Sequence, residues 1–218
     1  MGTEGERRVV TVPNSIVHHG SGEARDYIFL HLREPHAMGE DYVESVVELL
    51  RHFGVTEYCR IGGFYDAVPH TRPLLVTGTL NASHVERAKG LVSSPMRVYQ
   101  GPTSILTLVH DSLVEAEIQS ASLMVHIPQY AQLDEDHLGA SRLMEVLCAL
   151  YGFPDSLADN GRGQQQYQSI TQMVADNPEA RRVIQQLESE YDRFQSSPET
   201  EEGVSLSPDV ESFLQEMG

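Results

Sequence analysis

Apolar residues recur along the chain in two rhythms. Residues 8–12 (Arg-Val-Val-Thr-Val) are mostly β-branched and stop at Pro13, which predicts a short strand, and a second strand is expected at 15–18. His19-Gly20-Ser21-Gly22 supplies a turn. Residues 27–32 (Tyr-Ile-Phe-Leu-His-Leu) are almost continuously apolar, the pattern of a strand covered on both faces. Val43, Val46, Val47, Leu50 and Phe53 then fall at helical spacing and predict a helix over 40–53 that stops at Gly54. Strands are expected at 55–61 and 74–79, with a short helix at 82–89. Gly101-Pro102-Thr103-Ser104 opens a further helix that reaches Glu117, since proline suits the first helical turn. Ser122–Ile127 reads as another buried strand ended by Pro128. Residues 135–151 read as a helix with Ala140, Leu143, Met144, Leu147, Cys148 and Tyr151 on one face.

Strand and helix alternate over this stretch, which predicts an α/β fold with a mostly parallel sheet and helices on both faces. After Pro154 the pattern changes. Residues 155–164 look like a loop, and two helical patterns then meet at Asp176-Asn177-Pro178, where Asn177 suits an N-cap and Pro178 the first helical position. Ala180, Ile184, Leu187, Tyr191 and Phe194 make one stripe of the second helix. The result is an αα-hairpin, its stripe packed on its own sheet or else turned outward to receive a partner. Residues 196–203 form an acidic linker and 208–217 a last short helix. The expected divisions are a sheet domain at 1–153, a hairpin appendage at 154–195 and an acidic linker and tail at 196–218.

Composition narrows the function. The 218 residues carry 15 Lys and Arg against 32 Asp and Glu, a formal net charge of −17, and all the cations but Lys89 are arginine. Phosphate recognition needs clustered cations, so neither nucleic acid nor an anionic membrane is an expected partner. Residues 196–218 contribute six acids and no Lys or Arg, and the body stays acidic without them. The two cysteines, Cys59 and Cys148, lie too far apart in apolar stretches to suggest a metal or disulfide framework, and read as small buried thiols. With no signal-like start and no apolar run near the ~20 residues of a membrane span, the expected location is the cytoplasm.

The chemistry-bearing stretch is Gly62–Pro73. In an open α/β sheet ligands bind beyond the carboxyl ends of the strands, and this stretch leaves a strand there with Asp66, His70, Thr71 and Arg72. His70 and Arg72 suit a small anionic ligand, with Arg as a bidentate fork. The competing reading is structural: Arg72 pairs with Asp66 and holds a long turn rigid. Gly101, Thr103 and Ser104 stand at a helix N-terminus, where an anion docks or where Thr103 or Ser104 is simply a cap. Of the ten histidines only His18 and His19 are adjacent, and successive strand residues face apart. His31 and His126 read as hydrogen-bonded core residues. No metal and no cofactor are expected, and no nucleotide-loop, zinc-protease or serine-elbow motif occurs.

Several segments together resemble the proteasome assembly chaperone 2 family, in its bacterial, actinobacterial-type branch. They are Ile61-Gly62-Gly63-Phe64, Val68-Pro69-His70-Thr71-Arg72-Pro73, Thr77-Gly78-Thr79, Tyr99-x-Gly101-Pro102-Thr103, Val125-His126-Ile127-Pro128-Gln129-Tyr130, and Leu187-Glu188 with Tyr191-Asp192. The resemblance spans residues 8–195 in order. It implies a three-layer α/β/α fold like that of nucleoside phosphorylases, frequent homo-oligomers and mostly no known catalysis, with eukaryotic and archaeal relatives acting as chaperones in proteasome assembly. There are three departures. The family pattern begins with a strand and Gly-rich turn into a helix ahead of the equivalent of Val9, so this chain is expected to lack that first unit, whether as a fragment, through a misplaced start or because another subunit completes the sheet. Ser104 stands where many members have glycine. The chain ends Glu216-Met217-Gly218 instead of the hydrophobic-Tyr-any tail with which some archaeal relatives dock proteasome rings.

The expected function is a non-enzymatic interaction or assembly-chaperone-like module that self-associates and binds a protein partner. The alternative is a phosphorylase- or hydrolase-like enzyme, or a binder of a small anion, with its site at the carboxyl ends of the strands.

Overall fold

The computed structural model describes residues 14–22, 25–93 and 104–196. The predicted strand at 8–12, residues Gly101 and Thr103, the linker beyond Ser196 and the helix at 208–217 lie outside them. Among the described residues, those up to Val55 together with Ser104–Glu117 form one compact unit, and Thr56–Ser93 with Ile118–Ser196 form the other.

In the first unit, β1 (Ile16–Ser21) and β2 (Asp26–His31) pair antiparallel from Ile16↔His31 to Ser21↔Asp26. The run at 27–32 is therefore not covered on both faces. Phe29 is 49% exposed and its neighbour His31 is exposed rather than in a core. A ribbon of two strands is too narrow to bury both of its surfaces. α1 (Gly39–His52) follows the predicted stripe, burying Val43, Val46, Val47 and Leu50. Its acids Glu40 and Asp41 lie in the first turn and Arg51 and His52 in the last, as the helix dipole favours. Gly54, at φ +64°, closes it in a left-handed conformation. Phe53, counted with the stripe, is 57% exposed, because the helix ends before it. α2 (Ile105–Glu115) packs on α1 and buries Ile105, Val109 and Leu113.

The second unit is built on β3 (Glu57–Asp66), β4 (Val76–Thr79) and β5 (Gln119–Pro128), in the order β3-β5-β4. β3 and β5 run parallel from Glu57↔Gln119 to Asp66↔Pro128, and β4 runs antiparallel to β5. The α/β class holds, with a mixed rather than mostly parallel sheet. A parallel neighbour needs a crossover of about a dozen residues, and β4 follows β3 through residues 67–75 without one. The expected helix at 82–89 is a series of turns.

β3 also runs farther than predicted. Gly62 and Gly63 are strand residues rather than the start of the loop. A Cβ at Gly63 would stand 2.8 Å from Ile127 Cδ1, and one at Gly62 3.1 Å from Met124 Sδ. Side chains of β5 lean over β3 where its own are missing, which is the reason for glycine inside a strand.

α3 (His137–Tyr151), α4 (Gly161–Ala175) and α5 (Pro178–Ser196) complete the unit. Asp136 caps α3 by accepting the Gly139 N–H at 2.7 Å, and the Tyr167 hydroxyl of α4 donates to the other oxygen of the same carboxylate at 2.7 Å. Asn177 caps α5 as expected, accepting from the N–H groups of Glu179 and Ala180 at 3.0 and 3.2 Å. α4 starts inside the stretch read as loop. The hairpin contributes Tyr167, Ile170, Val183, Ile184 and Leu187 to the cluster that holds Leu74, Val76, Leu123 and Val125 of the sheet and Val146 and Leu150 of α3. Its apolar stripe thus packs on its own sheet.

Candidate functional site

The carboxyl ends of β3 and β5, Asp66 and Pro128, lie side by side at the end of the sheet where α/β folds bind ligands. Strand alternation puts Phe64 and Asp66 of β3, Met124 and His126 of β5 and Thr77 of β4 on one face. One oxygen of Asp66 accepts the Ala67 N–H at 2.8 Å, and the other lies 2.7 Å from His126 Nδ1. Across the ring, His126 Nε2 lies 2.9 Å from Thr77 Oγ1. A carboxylate only accepts, so Nδ1 carries a proton, and in the neutral ring Nε2 is left to accept from the threonine hydroxyl. The Phe64 ring packs 4.4 Å from the imidazole, centroid to centroid.

Beyond Asp66, residues 67–73 form a loop fastened to the helices. His70, 6% exposed, places its backbone N–H and its Nδ1 both 2.7 Å from the Tyr130 hydroxyl oxygen. Its Nε2 lies 3.1 Å from Thr171 Oγ1 on α4. Burial holds this imidazole below its ordinary pKa of 6.5, partly offset by the charge of Glu188, and pushes the Tyr130 phenol upward. Thr71 donates to Glu188 on α5. Arg72 places Nε and one terminal nitrogen each 2.8 Å from the two oxygens of Asp192, and its other terminal nitrogen 3.1 Å from Glu188. This fork-to-fork pairing holds the Arg72 pKa well up and the Asp192 carboxyl below its usual range. The Tyr191 hydroxyl donates to the Pro73 carbonyl at 2.8 Å.

The predicted Asp66–Arg72 pair is thereby corrected. Each residue takes another partner, Asp66 the imidazole of the neighbouring strand and Arg72 the carboxylates of α5. With its guanidinium closed on Asp192 and Glu188, Arg72→Ala is expected to lower the thermal midpoint at low ionic strength and to do so less in high salt, because the pair is partly exposed and screened. An unchanged midpoint at low salt would return Arg72 to a ligand-binding role.

Ser104 belongs to the other unit, where it precedes α2 with an extended backbone and no side-chain cap. The first N–H of that helix, on Ile105, is taken by both oxygens of Glu34 at 3.1 Å. A carboxylate does stand at this helix N-terminus, and the chain itself supplies it. Gly101 and Thr103 lie outside the described residues. Cys59 and Cys148 are free thiols, and burial pushes Cys59 up to about 11, far from a reactive thiolate. Among the described residues no group of three His, Cys, Asp or Glu could share a metal ion.

Composition and spacing alone do not point to Thr77, Tyr130, Glu188 or Asp192. They stand in the segments that carry the family resemblance. His70 meets Tyr130, Arg72 meets Glu188 and Asp192, Pro73 meets Tyr191, and Asp66 meets His126, so segments far apart in the chain are one another's hydrogen-bond partners.

Comparison with known proteins agrees with this architecture. The model of the PAC2 family matches residues 2–175. No curated protein matches the chain. Among solved structures, a protein of unknown function from Corynebacterium glutamicum ATCC 13032 is similar with a TM-score of 0.70 and 22% identity, over 78% of this chain and 63% of that one. A Mycobacterium tuberculosis protein of unknown function has a TM-score of 0.69 and 24% identity, over 88% and 64%. A proteasome-assembly chaperone homologue from the same organism has a TM-score of 0.65 and 20% identity, over 77% and 71%. The chain spans less than two thirds of the length of the first two.

Proposed function

The chain belongs to the PAC2 family, and from that membership we propose that it is an assembly-chaperone-like module that self-associates and binds a protein partner. The fold shared with the Mycobacterium tuberculosis proteasome-assembly chaperone homologue supports this reading. One observation on this chain carries it further. Ile61 and Tyr65 project from the same face of β3, an edge strand of the described three, and are 48% and 55% exposed. Large apolar side chains left grouped in water mark surfaces that another protein covers. Meanwhile the groups that would bind a small anion, Thr71 and Arg72, are engaged by α5.

The test is size-exclusion chromatography with light scattering on the wild type and on the Ile61→Glu, Tyr65→Glu double variant, together with a pull-down. A species heavier than one chain, reduced by the double substitution without loss of the thermal transition, is the expected result. A strict monomer that retrieves no partner sinks the proposal.

A further inference from the structure

Thr77, His126 and Asp66 come from three strands, none of them sequence neighbours, yet they align hydroxyl, imidazole and carboxylate at 2.9 and 2.7 Å. We propose that this line is a nucleophile with its base and orienting group, giving the chain an acyl-transfer activity toward small activated esters.

The roles follow from hydrogen-bond direction. Asp66 accepts the hydrogen bond of Nδ1–H, which in the neutral imidazole leaves Nε2 bare toward the hydroxyl, the order in which nucleophile, base and orienter are recognised irrespective of fold. The parts are also held before any substrate arrives. The Ala67 N–H fixes the carboxylate, Phe64 flanks the imidazole, and the His126 N–H donates to the Leu75 carbonyl at 2.9 Å. A packing role would need none of this polarity, because valine at 77 and leucine at 126 would fill much of the same space with no hydrogen bond to satisfy. The location fits as well, at the carboxyl end of the parallel pair. Thr77 is 6% exposed, which limits the acyl group to something small.

In the reaction, Thr77 Oγ1 bonds to the acyl carbon as its proton passes to His126 Nε2. The bond from that carbon to the leaving oxygen then breaks, and the alcohol or phenol departs with the proton from Nε2. Water repeats the sequence. Its oxygen bonds to the acyl carbon and its proton goes to Nε2, the bond to Oγ1 breaks, and Thr77 recovers the proton as the carboxylic acid leaves. Asp66 acts on the reaction through His126 rather than on the acyl group and is a positioning residue.

The test uses p-nitrophenyl acetate on the full chain, following nitrophenol release, intact mass and peptide mapping. An acetyl adduct on Thr77 is expected in the wild type, retained in Thr77→Ser and absent from Thr77→Val. His126→Gln should slow release by on the order of a hundredfold. Asp66→Asn should slow it too, with partial recovery in Asp66→Glu, which a purely structural carboxylate would not show in the rate. Wild type without an adduct on Thr77, or release equal in wild type and Thr77→Val, overturns the proposal. Should Thr77→Val fail to fold, mapping of the wild type and Thr77→Ser still decides.

Discussion

Replacing Gly78 by alanine is expected to prevent stable folding. A Cβ at this position on β4 would lie 1.9 Å from the backbone oxygen of Ser122 and 3.2 Å from the Cα of Leu123. Both neighbours belong to the middle strand, so the clash is relieved only by lifting β4 from β5. That would break the Val76↔Val125 to Thr79↔Ser122 pairing and uncover Val76, 1% exposed in the core. Overpacking typically costs about 1–3 kcal/mol where side chains can shift, and backbone against backbone sits at or above the top of that range. Gly63→Ala should cost less, since the atom in its way is the end of the Ile127 side chain. Gly39→Ala, with nothing within 4 Å, serves as the control. Urea unfolding monitored by circular dichroism reads the series. Equal midpoints for Gly78→Ala and Gly39→Ala would show that β4 does not approach β5 as described.

The second large effect centres on His70. Thr171 gives its own hydroxyl proton to the Tyr167 carbonyl at 3.1 Å, so its oxygen is left to accept from His70 Nε2–H. Nδ1 then accepts the Tyr130 O–H, while the same phenol oxygen accepts the His70 backbone N–H. Every donor has an acceptor only while the ring is neutral. A second ring proton would set Nδ1–H against the Tyr130 hydroxyl proton in a buried place. Tyr130→Phe leaves a buried N–H and a buried ring nitrogen without partners, and at about 1–3 kcal/mol for each such loss the expected destabilisation is about 2–6 kcal/mol. The pH dependence has a definite sign. The folded-state pKa lies below the unfolded value near 6.5, so the folded protein resists protonation, and stability is fully present above that value and declines as pH falls through the folded pKa. Urea midpoints for the wild type should therefore drop between neutral and mildly acidic pH, and His70→Gln should flatten part of that slope. An unchanged slope in His70→Gln would place the acid sensitivity elsewhere.

Local signals carried much of this structure. Asn177 and Pro178 announce α5 because capping is decided within a few residues, and the Val43–Leu50 stripe announces α1 because its other face is charged. Failures arose where a local pattern has two meanings. Gly62-Gly63 read as the start of the loop beyond the strand, but glycine also serves where a neighbouring strand leans across, and that neighbour lies some sixty residues away. α3 is apolar nearly all round, so periodicity did not fix its inner face. Val146 and Leu150 are the fully buried positions, Leu143, Met144 and Tyr151 pack at the margin, and Ala140 is exposed. Of the site, Asp66, His70, Thr71 and Arg72 were legible as a polar loop at a strand end. The carboxylate partners of Arg72 were not legible in spacing, because an ion pair leaves no trace there when its members are separated by 116 to 120 positions.

That separation bears on how the chain reaches its native state. The loop after β3 is among the first parts of the second unit to leave the ribosome, and α5 the last described. Until α5 arrives, Arg72 has no Asp192, Pro73 no Tyr191, and Leu74 and Val76 lack the cover of Ile184 and Leu187. Closure over such a distance is entropically slow, and the apolar face of the sheet stays open to wrong partners meanwhile. A nascent chain stalled before residue 178 should thus be sticky, and release of the final helix should act as the latch that ends its vulnerability to aggregation.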